Sequence, residues 1–137
     1  MRVVDTGVAV AACASWHEAH ADARSELARR PQIACHSLVE TYSVLTRLPA
    51  PHRAPADVAA RFLELAFPDA ALALTPDQVR RLVVTRLPIL GISGGAVYDA
   101  VIAETVRLAG GTLVTLDRRA LTTYERIGCT AELLAAH

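Results

Sequence analysis

The segment that organises this chain runs from Ser93 to Arg119 and reads SGGAVYDAVIAETVRLAGGTLVTLDRR. Two glycine pairs bracket a predicted helix over 96–109, and a β-rich run of strand length follows at 112–116. An acidic residue stands at each end of this unit, Asp99 in the first helical turn and Asp117 directly after the strand. Ligands of open α/β sheets bind beyond the carboxyl ends of strands, so Asp117 is placed where chemistry is expected.

The rest of the chain repeats this alternation of short strands and helices. Further strands are predicted at 2–4, 32–35, 70–75 and 129–133. Further helices are predicted after Asp5, at 17–30, 37–48 and 56–67, from 75 towards 87 and through 126, with a turn or loop at 88–94. The pattern predicts a single α/β domain over 1–137, with a mostly parallel sheet of four to five short strands and helices on both faces.

Composition limits the function classes less than it limits the fold. Fourteen acidic residues balance fourteen basic ones, so net charge gives no argument for a nucleic-acid partner, although a local arginine patch can still act inside a neutral protein. The three cysteines are far apart, which suits free thiols in a reducing compartment. Asp5 stands where a signal peptide would be basic, and no apolar run reaches the ~18 residues of a membrane span. We therefore expect a cytoplasmic protein.

Four acidic residues are candidates for a common site. Asp5 follows the first predicted strand, Glu40 lies in the helix after the second, and Asp99 and Asp117 bracket the unit quoted above. Aspartate is also an ordinary turn and N-cap residue, so each position has a purely structural explanation as well.

Helical periodicity separates Glu40 from Asp99. Glu40 points nearly opposite a stripe of Leu38, Tyr42 and Leu45, which predicts that it faces solvent. Asp99 lies at the border of a broad arc that is predicted to be buried, and its place in the first helical turn suits the helix dipole. The members of that arc are Val97, Tyr98, Val101, Ile102, Thr105 and Val106.

The chemistry follows if the four acids converge. Carboxylates held close together repel one another, and a hard divalent cation relieves that repulsion. Oxygen ligands alone favour Mg²⁺ or Mn²⁺. Such an ion activates water and polarises a phosphoryl oxygen, so the expected reaction is hydrolysis of a phosphodiester.

Four segments carry a resemblance to a known family. They are VVDTGVAV at 3–10, SLVETYSVLTRL at 37–48, YDAVIAETV at 98–106 and TLVTLDRR at 112–119. In order and spacing they resemble the four acidic motifs of PIN-domain nucleases, and most closely those of the VapC-type ribonuclease toxins of bacterial toxin–antitoxin pairs. The resemblance covers essentially the full length of the chain.

The resemblance implies a small α/β/α sandwich and Mg²⁺- or Mn²⁺-dependent cleavage of RNA. It also implies a homodimer and a cognate antitoxin that blocks the cleft. Asp5, Glu40, Asp99 and Asp117 match the metal-binding acids, and Thr115 stands where the family often has a hydroxyl residue near them. Gly7 departs from the pattern, because the family usually has Ser or Asn there.

Basic residues near these motifs are candidates for contacts with RNA or the antitoxin. Arg47 and Arg53 lie on or near a proline-rich loop beside the Glu40 helix, together with His52. Arg118 and Arg119 directly follow Asp117, so either could reach a phosphate or a carboxylate.

Two other functions fit parts of the sequence. Asp5-Thr6-Gly7 between apolar runs is also typical of retroviral-type aspartic proteases, which are homodimers with one such motif in each chain. That function requires a nearly all-β chain, which the predicted helices contradict. A non-catalytic binding protein on the same fold is the second alternative, because fold alone does not determine function.

Overall fold

The computed structural model of the chain describes residues 1–134. Its strands are β1 Arg2–Val4, β2 Gln32–Ile33, β3 Thr112–Thr115 and β4 Ala131–Leu133. Its α-helices are α1 Thr6–Cys13, α2 His20–Leu27, α3 Cys35–Arg47, α4 Ala56–Ala66, α5 Pro76–Arg81, α6 Leu87–Leu90, α7 Ala96–Ala109 and α8 Arg118–Ile127. A π-helical turn, Leu82–Arg86, joins α5 to α6.

The strands form one sheet in the order β2-β1-β3-β4, and every pairing is parallel. Val4 is paired with Ile33 on one side and Val114 on the other. Because all strands point the same way, their carboxyl ends meet at one edge, which we call the carboxyl edge. The loops after β1 and β3 and the start of α3 all lie there.

Helices cover both faces of the sheet. Val3 and Leu113 pack with α7 and α8 side chains in one buried cluster, whereas Val4 and Val114 pack with α1 in the other. This division follows from the strand geometry, since successive side chains point to opposite faces. The predicted three-layer α/β/α sandwich with a parallel sheet is confirmed.

Two predicted elements between residues 70 and 94 differ from the structure. The strand predicted at 70–75 is reduced to a single parallel bridge between Leu72 and Ala34. Alanine-rich sequence is a weak strand former, and the capping box of Thr75 and Gln78 starts the next helix three residues later. The loop predicted at 88–94 is wrong at its start, because Pro88 lies in α6, directly after the π-helical turn.

The helix predicted from residue 17 begins at His20 instead. Residues 14–19 form a tight turn in which the His17 N–H donates to the Ala14 carbonyl over 2.9 Å, and the Ala19 N–H donates to His17 Nδ1 over 3.0 Å. Trp16 is therefore placed in a defined turn at the end of α1. Across residues 1–134, no helix combines the length and apolar character that a membrane span requires.

Candidate metal centre

A cavity of about 230 Å³ opens at the carboxyl edge of the sheet. All four acids singled out from the sequence line it: Asp5, Glu40, Asp99 and Asp117. They arrive from the loops after β1 and β3 and from the helices α3 and α7. The remaining lining residues are Thr6, Gly7, Ile102, Thr115, Leu116, Ala120 and Tyr124.

Asp5 is the most buried of the four acids, with 5% of its surface exposed. It is the N-cap of α1, and its Oδ1 accepts a hydrogen bond from the Val8 N–H over 3.2 Å. Its Oδ2 accepts a hydrogen bond from the Tyr124 hydroxyl over 3.0 Å. The backbone N–H of Asp5 donates to the Val114 carbonyl, which ties the residue to β3. Both carboxylate oxygens are therefore oriented by the protein itself.

Burial raises the pKa of Asp5 from its ordinary value of 3.8 to about 6. Hydrogen bonding from Thr115, Val8 and Tyr124 offsets part of the rise, and the negative charge of Asp99 adds to it. None of these groups carries a positive charge. The folded protein thus holds a carboxylate in apolar surroundings without neutralising it.

Asp99 is also a carboxylate whose burial is not compensated by a positive charge, in a more exposed position than Asp5. It lies half-buried in the first turn of α7, and burial raises its pKa, with the charges of Asp117 and Glu40 adding to the rise and His36 opposing it. The pocket consequently gathers negative charge on several residues. That is the electrostatic signature of a site for a cation.

Glu40 reaches the pocket despite the helical-wheel prediction. The buried face of α3 is made of Ser37, Thr41 and Leu45, whereas Tyr42, which was predicted to be part of it, is exposed. Glu40 lies at the border of that face, so it lines the pocket while its side chain remains partly exposed.

His36 lies one helical turn before Glu40 and flanks the same side of the pocket. Its Nε2 is 3.6 Å from Glu40 Oε2, and its ring stacks on Tyr98 with a centroid distance of 5.6 Å. Tyr98 is 59% exposed, so its predicted place in the buried arc of α7 is wrong. It covers His36 instead of entering the core.

Asp117 is both a helix N-cap and a pocket residue, which are the two roles that its sequence context allowed. It is exposed at the N-cap of α8, where Oδ1 accepts a hydrogen bond from the Arg119 N–H over 2.8 Å, and it also lines the pocket. Its own N–H donates to Thr115 Oγ1 over 3.0 Å. Thr115 is fully buried between Asp5 and Asp117, consistent with a hydroxyl that supports the acids.

Tyr124 is a site residue that the sequence reasoning missed. It lies on α8, almost completely buried, and donates to Asp5. Burial raises the pKa of its hydroxyl, as do the charges of Asp5 and Asp99, so it stays a hydrogen-bond donor. A signal was available, because Asp117, Ala120 and Tyr124 follow one another at the spacing of a single helix face.

Comparison with known proteins identifies the family. The family model described as PIN domain matches residues 2–126. The chain belongs to the PIN-domain family. Ribonuclease VapC40 of Mycobacterium tuberculosis, from strain H37Rv and from strain CDC 1551 / Oshkosh, is 44% identical over 131 residues, which cover 95% of this chain and 96% of the relative. Ribonuclease VapC27 of strain H37Rv is 44% identical over 127 residues, 91% of this chain and 90% of the relative.

These relatives make the chain a PIN domain of the VapC type. No solved structure gives a significant match. The aspartic protease alternative is wrong, because Asp5-Thr6-Gly7 starts a helix at the edge of a parallel sheet, whereas such a protease is nearly all β.

The predicted arginine contacts lie outside the pocket of this PIN domain. Arg47 donates to Ser43 Oγ over 2.8 Å, and Arg53 donates through Nε to the Leu48 carbonyl over 2.8 Å. Arg118 and Arg119 are exposed in the first turn of α8. None of the four lines the cavity, so their contacts with RNA or an antitoxin stay predictions.

The chemistry of this pocket fits a hard divalent cation, although its side chains are not gathered into a ligand set. Within residues 1–134, no three His, Cys, Asp or Glu side chains are grouped so that they could hold a metal ion. The acids offer only oxygen donors, and two of them carry raised pKa values. In addition, Thr6 Oγ1 is buried without a hydrogen-bond partner in this part of the chain. Carboxylates held near one another repel, and a bound cation would relieve that repulsion.

Proposed function

We propose that this chain is a single-domain, divalent-metal-dependent endoribonuclease that acts as the toxin of a toxin–antitoxin module. The observation that carries the proposal is the convergence of Asp5, Glu40, Asp99 and Asp117 on one cavity at the carboxyl edge. The names of the relatives, Ribonuclease VapC40 and Ribonuclease VapC27, support RNA as the substrate.

The four acids would hold Mg²⁺ or Mn²⁺, because their donors are oxygen atoms alone. When bound, such an ion neutralises the carboxylates, lowers the pKa of a bound water and polarises a phosphoryl oxygen. Phosphodiester hydrolysis is the reaction that uses all three effects.

The residues around the acids prepare the site for that task. Tyr124 and the Val8 N–H orient the two oxygens of Asp5, so this carboxylate needs little reorganisation. Ile102, Leu116 and Ala120 form an apolar wall that limits water access. The N-cap bonds of Asp5 and Asp117 keep one oxygen of each acid on its own helix.

Membership of the VapC type suggests further properties, which are part of the proposal. We expect a homodimer, a cognate antitoxin that blocks the cleft, and a cytoplasmic location. Arg47, Arg53, Arg118 and Arg119 are the proposed contacts to RNA phosphates or to antitoxin carboxylates, since guanidinium groups bind both.

The test is RNA cleavage by wild type and Asp99→Ala, each with Mg²⁺ or Mn²⁺ and with chelator. We expect cleavage only by wild type with a divalent ion. Asp77→Ala is the matched control, because Asp77 is an exposed acid in the first turn of α5, away from the cavity. Equal cleavage under all conditions would refute the site.

The same experiment addresses the remaining alternative, a non-catalytic binding protein. No cleavage by wild type with either ion, on structured and unstructured RNA, would favour that alternative. The presence of all four acids argues against it, because uncompensated carboxylates destabilise a site that has no use for them.

A further inference from the structure

An exposed aromatic pair stands at one end of the molecule and has no role in the core. Trp16, in the turn after α1, is 47% exposed. Its ring lies against that of His52, from the loop between α3 and α4, with a centroid distance of 4.2 Å and an interplanar angle of 34°. His17 lies beside Trp16 at 5.9 Å. Two separate connections therefore meet in one aromatic surface, which we call the Trp16–His52 platform.

Two helices lead from the acidic cavity to this platform. The first residues of α1, Thr6 and Gly7, line the cavity, and its last turn leads into Trp16. Glu40 lines the cavity from α3, and Arg47 lies two turns later on the same face of that helix, about 10 Å away. The platform therefore lies beyond the carboxyl-terminal ends of two helices that line the cavity, and Arg47 lies between the cavity and the platform along α3.

Between the cavity and the platform, the part of the surface that α3 and the following loop contribute is cationic. Arg47 and Arg53 bond only to Ser43 and to the Leu48 carbonyl, and within residues 1–134 neither has a carboxylate partner. No acidic residue occurs between Glu40 and Asp57 in the sequence. Arginines held by such anchors keep N–H groups available for an anion.

The platform could in principle contact protein or nucleic acid, and its composition favours nucleic acid. Unpaired bases stack on aromatic side chains while arginines follow the phosphates, and stacking is possible for every base because each has a π-face. Bases in a duplex are not available for this contact. Aromatic rings bordered by Arg47 and Arg53 match a single strand of alternating bases and phosphates, and the exposed Glu18 leaves the arginine side as the path for the phosphates.

We propose that the Trp16–His52 platform stacks an unpaired base of the RNA substrate, and that Arg47 and Arg53 bind phosphates between this base and the cavity. The inference rests on the proposed ribonuclease function and assigns its substrate a single-stranded segment that extends a few nucleotides from the cleaved bond. The platform is a binding site and takes no part in the chemistry.

The chain provides its own probe, because Trp16 is the sole tryptophan. The full-length protein is titrated in chelator with short single-stranded RNA carrying 2′-O-methyl sugars. Tryptophan fluorescence and the anisotropy of a label on the RNA are recorded together. The same titration is run with a blunt duplex of the same sequence. Anisotropy reports binding anywhere on the protein, whereas fluorescence reports the platform.

We expect single-stranded RNA to quench Trp16 in step with anisotropy, and duplex RNA to leave its fluorescence unchanged. Trp16→Ala should weaken single-strand binding about 5- to 150-fold, the range for loss of one stacked base. Trp16→Phe should restore most of the affinity. Ile89→Ala, which removes an exposed apolar side chain from α6, should bind like wild type.

The proposal is overturned if anisotropy saturates without a change in fluorescence, or if Trp16→Ala binds single-stranded RNA like wild type. Either result would exclude single-stranded RNA from the platform. Cleavage with Mn²⁺ is measured in parallel on unmodified RNA. Quenching without cleavage would refute the proposed function and keep the platform, whereas cleavage without quenching would do the reverse.

Discussion

Two regions of this protein treat buried carboxylates in opposite ways. At the amino-terminal edge of the sheet, Glu26 has only 1% of its side chain exposed, and Arg2 holds both of its oxygens, with distances of 2.9 and 2.7 Å. Burial of that charge is compensated inside the protein. At the carboxyl edge, Asp5 is nearly as buried and receives hydrogen bonds only from neutral groups.

Glu104 follows the pattern of Glu26. It is buried in α7, Arg107 donates to its Oε1 over 2.6 Å, and Arg86 Nε lies 3.0 Å from its Oε2 without hydrogen-bond alignment. Arg86 also donates to the Ile127 carbonyl, so the pair connects the π-helical turn to α7 and α8. Glu104 does not line the cavity.

The contrast separates buried acids that the chain neutralises with its own arginines from buried acids that it leaves without a cation. A buried carboxylate without a cation is unfavourable, and this chain supplies arginines wherever the acid is structural. Asp5 and Asp99 lack that compensation, and their raised pKa values follow from it. Three variants test this difference between the two regions.

The largest effect is expected when the internal compensation is removed. Arg2→Met keeps the apolar stem but leaves Glu26 buried beside Arg29 alone, 3.9 Å away and exposed. Breaking a buried pair costs about 3–5 kcal/mol, so the free energy of unfolding at pH 7 should fall by about that amount in chemical denaturation. Glu132→Gln removes only the exposed partner of Arg2 and should cost less than about 1 kcal/mol. Similar losses in the two variants would contradict the contrast.

A gain in the free energy of unfolding, instead of a loss, is expected when the charge of Asp5 is removed. Its folded pKa of about 6 exceeds its ordinary 3.8, so its ionisation destabilises the metal-free fold fully above pH 6 and not at all below about pH 3.8. Asp5→Asn keeps the N-cap and should raise the free energy of unfolding at pH 7, in chelator, by up to about 3 kcal/mol.

The pH profile distinguishes this effect from a general one. The advantage of Asp5→Asn over wild type should shrink as the pH falls from 7 to 4, because wild-type Asp5 then takes up its proton. Mn²⁺ should stabilise wild type and have a smaller effect on the variant. An Asp5→Asn protein that is less stable than wild type in chelator would sink the idea of an uncompensated charge.

The smallest effect is expected at Tyr124. Tyr124→Phe removes the hydrogen bond to Asp5 Oδ2 and leaves the packed ring in place. Loss of a group that orients a metal ligand typically costs about 10- to 100-fold in metal affinity, which calorimetric titration with Mn²⁺ measures. Tyr98→Phe is the matched control, since that hydroxyl is on an exposed ring beside the pocket. Equal Mn²⁺ affinities in wild type and Tyr124→Phe would assign Tyr124 a packing role alone.

The fold was predictable where the residues that end an element and the hydrophobic periodicity within it indicate the same bounds. The helix over 96–109 was predicted with its observed bounds, because glycines flank it and Gly110 adopts the left-handed conformation that ends it. The segment 70–94 was predicted poorly. There, Pro88 reads as a helix breaker in isolation, yet the helix that begins at Thr75 continues through a π-helical turn and accepts the proline at the start of α6.

The convergence of the acids in the candidate site was predictable from the strand ends and, among the helices, only for Asp99. Asp5 and Asp117 follow strands, so parallel pairing alone brings them to one edge. The position of Glu40 could not be predicted from the periodicity of α3. Periodicity shows which face of a helix is apolar, and not which neighbouring helix covers that face. Tyr124 was missed because its partner lies 119 residues away, a contact that no local pattern contains.

The dual use of Asp5 and Asp117 has an evolutionary consequence. Each acid caps the helix that follows it, so alanine at either position would remove a cap worth about 0.5–2 kcal/mol in addition to any role in catalysis. Asparagine or serine would keep the cap. A lineage that loses catalysis and keeps the fold is therefore expected to carry asparagine or serine at these positions. Their occurrence at both positions would indicate an enzyme that has lost its activity.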